Sequence, residues 1–134
     1  MKRLPKLLQL PDTRVPTRFT YEQFGRRATA YDTNQEVLPF SDFGEHQASG
    51  AMFSSLKDMM KYLEANLEAS SRLYEVFDAC HSLVFENNHY SFSGESPHMG
   101  LGWRIFIEDG DTITGHTGIT KQTSYMRFVK EKQV

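Results

Sequence analysis

Two short segments carry residue types that could do chemistry. Ser54-Ser55-Leu56-Lys57 places a hydroxyl and an amine three positions apart. On a helix that spacing sets the side chains one turn apart, where Lys57 could activate Ser54 as an acyl-accepting nucleophile. The competing reading is a helix start, with Ser54 or Ser55 capping the first turn and Lys57 in solvent. So short a motif recurs by chance, and the helix start is the reading adopted. In Gly115-His116-Thr117-Gly118, an imidazole, a hydroxyl and exposed backbone N–H groups could all donate to a carboxylate. The plain alternative for His116 is a strand-edge histidine bonded locally.

Other candidate groups give less. His81, His89 and His98 are not spaced as a ligand set on one element, which predicts loop or surface positions and no metal site. Cys80 is the only cysteine, so an internal disulfide and a cysteine zinc cluster are both excluded. Its spacing with Leu73, Val76 and Phe77 predicts a small residue on an apolar helix face.

The 134 residues fit one domain, and 39% hydrophobic with 24% charged residues describes a globular chain. Fifteen Lys and Arg against 17 Asp and Glu give a net charge of −2, no electrostatic basis for nucleic acid or an anionic membrane as partner. The apolar run in Met1 to Leu10 is broken by Pro5 and Lys6 and is too short for a signal peptide. A cytoplasmic location is the default expectation.

The elements that must position these groups follow from periodicity. Residues 1–50 hold Pro5, Pro11, Pro16 and Pro39 and read as mostly irregular, with a helical turn at Tyr21 to Phe24. So long an irregular stretch hints that partner structure is missing. Residues 55–85 read as a helix pair. In the first helix Leu56, Met59, Met60, Leu63 and Leu67 share a face, opposite Lys57, Asp58, Lys61 and Glu64, and Ser55 with Asp58 resembles a capping box. The second carries Leu73, Val76, Phe77, Cys80 and Val84 behind a Ser70 or Ser71 cap. Residues 86–100 read as a loop. Residues 101–129 predict a three-stranded antiparallel meander, in which Leu101, Trp103, Ile105 and Ile107 alternate, with Trp103 in the core. Asp109-Gly110 forms its two-residue turn. The fold class is α+β.

Three segments, in order, resemble the serine β-lactamase and penicillin-binding-protein-like hydrolases, especially their class C, esterase and D-aminopeptidase-like branches. They are Ala48 to Leu63, Met99-Gly100-Leu101-Gly102-Trp103, and Gly115-His116-Thr117-Gly118 followed by Ser124-Tyr125-Met126. Asp12-Thr13 and Ala28 to Asp32 are similar to weaker upstream segments, extending the resemblance over nearly the whole chain. It implies the C-terminal part of a β-lactamase-like fold and chemistry without a cofactor. His116 and Thr117 would meet a substrate carboxylate. Gly118 would let the substrate lie against the backbone, and the Ile119 N–H would help hold an oxyanion.

The sequence departs from the family pattern where Ile119, Thr120, Lys121 and Gln122 replace a more glycine-rich link. The family's nucleophilic Ser-x-x-Lys and its Tyr-x-Asn are expected to precede the matched segments and to be absent here. The expected partner is a small acyl or carboxylate ligand, bound without turnover. A truncated product, one piece of an enzyme completed by another chain, and a non-catalytic binding module all remain open. Unpaired strand edges and missing layers predict self-association or a complementary chain. Intact relatives are often extracytoplasmic.

Overall fold

Residues 1–50 read from the sequence as mostly irregular with a helical turn at Tyr21 to Phe24, and among its described residues the computed structural model gives this stretch short helices and isolated bridges. It describes residues 3–15, 19–40, 43–44, 46–47, 50–86 and 98–132. The chain forms two units, residues 1–62 with 118–124 and residues 63–117 with 125–134.

The first unit opens with helix α1 (Arg3–Leu7), which the sequence pattern did not disclose. Pro5 is tolerated there because N–H groups of a first turn have no helical acceptor anyway. Helix α2 (Tyr21–Gly25) coincides with the expected turn, and Thr20 and Gln23 cap it reciprocally. Asp32 folds the next segment: its carboxylate accepts from Asn34 N and Glu36 N, each at 2.8 Å, so that Tyr31 and Val37 pair.

Helix α3 (Leu56–Leu67) starts as expected, with Ser55 Oγ accepting from Asp58 N at 3.2 Å. Its faces are not as expected. Leu56 is 80% exposed and Met60 is exposed, whereas Asp58 is 1% and Asn66 0% exposed. Asp58, placed by the sequence pattern on the solvent side, is buried because its Oδ2 accepts from Asp12 N at 2.7 Å and Thr13 Oγ1 at 2.9 Å. A carboxylate in the first turn also suits the positive end of the helix.

In the second unit, helix α4 (Tyr74–His81) is shorter than expected. No side chain caps it at Leu73; Ser71 instead holds the approach, its hydroxyl accepting from Leu73 N and its carbonyl from Tyr74 N. Val76 and Val84 are exposed, and Val84 N donates to Met99 O, so the chain has left the helix by then. Four strands follow in sheet order: β1 (His98–Met99), β2 (Arg104–Glu108), β3 (Asp111–Ile119) and β4 (Thr123–Val129). The meander is therefore as predicted, with β1 added by pairing His98 with Ile105 inside the expected loop. The turn is also as predicted: Glu108 pairs with Asp111 across Asp109 (φ +52°) and Gly110 (φ +86°).

Gly100 and Gly102 explain the Gly-Leu-Gly-Trp segment. A Cβ on Gly100 would lie 2.4 Å from Cys80 O. This close approach lets Leu101 N cap that carbonyl at the end of α4, at 2.9 Å. Gly102 takes φ +78°. Trp103 is then buried, as expected, edge-on to His81 and Phe128. The predicted alternation fails in part: Leu101 and Ile107 are exposed and Phe106 is buried. Phe106 escapes solvent on the opposite sheet face because the Arg127 guanidinium lies 4.3 Å from its ring centre.

His81 is a correction to the surface assignment: it is 8% exposed. Its Nε2 lies 3.0 Å from Asn66 Oδ1 and therefore carries the proton, while Nδ1 has no hydrogen-bond partner. Burial, reinforced by the Lys130 charge and opposed by Asp78, lowers its pKa from 6.5 to about 4. The folded protein thus keeps His81 neutral where the unfolded chain takes up a proton. Stability from this group is complete above pH 6.5 and is lost as pH falls toward 4, by about 3 kcal/mol in all. Urea denaturation across this range should show that loss in the wild type and a flatter profile in His81→Gln. Parallel profiles would contradict the assignment.

Candidate functional site

The candidate residues His116, Thr117, Gly118 and Ile119 are consecutive on β3. The strand can pass here because Gly115 has no side chain: a Cβ would lie 2.6 Å from both Met126 O and Arg127 Cγ. His116 is exposed and Thr117 half-buried. The His116 Nδ1 lies 2.8 Å from Thr117 O, and since a carbonyl only accepts, Nδ1–H is the donor. Neutral His116 therefore presents Nε2 as a lone pair; only the protonated ring offers an outward N–H to an anion. The local bond of the strand-edge alternative and an outward-facing imidazole coexist.

Gly118 has a second reason to be glycine. A Cβ there would lie 2.7 Å from Ser124 Oγ, so the Ser124 hydroxyl occupies the space beside the strand. Ile119 is exposed and ends β3. The next residues, where the sequence departs from the family pattern, work as a tie. Thr120 N donates to Gln122 O at 2.9 Å, Lys121 Nζ to Pro39 O at 2.8 Å and Gln122 Nε2 to Ala28 O at 3.1 Å. Sequence reasoning missed this tie because its acceptors are backbone carbonyls 82 and 94 positions away.

Ser54 and Lys57 are not brought together. The Thr13 hydroxyl gives its only proton to Asp58, so the 2.8 Å contact between Ser54 Oγ and Thr13 Oγ1 has Ser54 as donor. Lys57 is exposed, and no hydrogen bond joins it to Ser54. Among the described residues no group of three or more His, Cys, Asp or Glu could hold a metal ion, and no helix is long and apolar enough to cross a membrane. His98 lies on β1 and His89 falls outside the described residues.

Neither a protein-family model nor a curated protein sequence matches this chain. Solved structures do. A class C β-lactamase from Rhodobacter sphaeroides superposes with a TM-score of 0.76 at 16% identity, over 98% of this chain and 44% of that one. The chain has part of a β-lactamase-like fold. The octameric penicillin-binding protein homologue from Pyrococcus abyssi gives a TM-score of 0.72 at 21% identity, over 98% of this chain and 30% of that one. The D-alanine carboxypeptidase AmpC from Burkholderia cenocepacia gives 0.76 at 14%, over 98% and 46%. Identity this low establishes a likeness of fold, and the chain spans less than half the length of these β-lactamase-like structures. It agrees with the α+β arrangement and with the family resemblance carried by the three sequence segments.

The tie at the β3–β4 tip gives a direct expectation. Replacing Lys121 and Gln122 together with Ala should speed amide exchange at Thr120 at least several-fold and cost about 1–2 kcal/mol. Exchange at Thr120 as slow as in the wild type would show that the two side chains do not hold the tip.

Proposed function

We propose that the chain is a portion of a β-lactamase-like serine hydrolase that contributes a substrate-binding edge and not the acyl-accepting serine. One observation supports this best: Gly115-His116-Thr117-Gly118 runs along β3 of a β-lactamase-like fold, with His116 exposed. In this reading the Thr117 hydroxyl and protonated His116 take a carboxylate, and the Ile119 N–H supports the oxyanion of a tetrahedral intermediate. The substrate class is an acyl compound: a β-lactam, a D-Ala peptide, or a small ester or amide.

The acyl-accepting serine lies outside these residues, in another part of the same protein or in another chain. The only Ser-x-x-Lys here is Ser54 to Lys57, and there is no Tyr-x-Asn. Ser54 spends its proton on Thr13, and its neighbour Ser55 caps α3. Exposed Leu56, Ile107 and Ile119 support a covering chain or self-association. A non-catalytic binding module is the second reading, favoured by the local hydrogen bond that occupies His116 Nδ1.

Native mass spectrometry of the full chain with benzylpenicillin and with p-nitrophenyl acetate tests both points. The expected result is no covalent adduct, weak reversible binding and some oligomer at high concentration. A stoichiometric acyl adduct on Ser54 would overturn the assignment of that segment. An adduct on another serine would reveal a different nucleophile.

A further inference from the structure

Arg26 and Arg27 are neighbours with different circumstances. Arg26 is exposed and neutralised by Asp12, with Nη2 to Oδ2 at 3.2 Å. Arg27 is half-buried, and among the described residues it has no ion pair and its Nη1 is buried without a hydrogen-bond partner. A guanidinium brought partly out of water without a counter-charge is costly, and an anion placed against it recovers that cost.

Two aromatic rings lie against this cation. Its centre lies 4.3 Å from the ring centre of Phe24 and 4.7 Å from that of Phe40. Phe40 in turn stacks on Phe53, 5.6 Å between centres with 24° between planes, and Phe19 meets both edge-on. Aromatic faces attract the cation and leave N–H groups of the guanidinium for an acceptor. Phe24 and Phe40 are both exposed in part, so the stack reaches the surface. Lys121, bound to the carbonyl of Pro39 beside Phe40, adds a second positive charge to the same segment.

We infer that Arg27 is an anion-recognition site for a small carboxylate with an aromatic or other apolar body. The carboxylate pairs with the guanidinium, and the apolar part lies against Phe24 and Phe40. A planar carboxylate matches the guanidinium fork, and the two rings beside it disfavour a strongly hydrated anion such as phosphate. This site lies wholly within the first unit and does not depend on the reading of His116 to Ile119.

The test is a titration of the full chain with phenylacetate, benzyl alcohol and inorganic phosphate, followed by NMR through the arginine Nε–Hε signals and, in variants that lack Arg27, through saturation transfer to the ligand and the backbone amide shifts of residues 24–40. Phenylacetate should bind saturably and shift the Arg27 signal. Benzyl alcohol and phosphate should bind at least about ten-fold more weakly. Arg27→Gln should abolish the phenylacetate response. Arg27→Lys, which keeps the charge but not the fork, should weaken it while preserving the fold if Gln does not. His116→Ala should leave it unchanged. Undiminished binding in both Arg27 variants, or phosphate binding as tightly as phenylacetate, would overturn the inference. Loss in His116→Ala alone would move the carboxylate to β3, overturning this site while supporting that one.

Discussion

The structure depends first on the bonds made by two buried polar side chains of α3, Asp58 through its Oδ2 and Asn66 through its Oδ1. Asp58 and Asn66 are two turns apart on one stripe of the helix, and neither sees solvent. Asp58 takes the Asp12 amide and the Thr13 hydroxyl, fixing the segment in which Arg14 bridges to Phe53. Asn66 takes the His81 ring, and His81 sets the edges of Trp103 and Phe128. Each is a directional bond in a dry place, where a missing partner costs more than an average apolar contact contributes.

Glycines then do what side chains would prevent. Gly100 lets β-sheet backbone reach the end of α4, and Gly115 lets β3 lie under Arg127. Arg127 covers Phe106 and reaches Tyr125 and Glu108, so a cation shields one sheet face that its strands leave apolar. His116 and Thr117, which follow Gly115 on β3, take their position from this packing.

Much of this was legible in the sequence where the cause is local. Asp109-Gly110 announced its turn because few residues accept positive φ, and Ser55 announced the start of α3. The Gly-Leu-Gly-Trp and His-Thr-Gly segments pointed to the fold. What stayed hidden has distant partners. Periodicity ranks Leu56 above Asp58 for burial, and only the Asp12 and Thr13 donors, 46 and 45 positions away, reverse that order. His81 looked like a surface histidine because its acceptor, Asn66, lies on another helix. The aromatic stack on Arg27 likewise joins residues from three separate segments.

The central claim is that a polar stripe of α3, more than its leucine face, anchors the fold. Urea denaturation of Asp58→Ala beside Leu56→Ala tests it most directly. The account predicts a loss of about 1–3 kcal/mol for Asp58→Ala, which strands the Asp12 amide and Thr13 hydroxyl, and about 0.5 kcal/mol or less for the exposed Leu56. A larger loss for Leu56→Ala than for Asp58→Ala would contradict it.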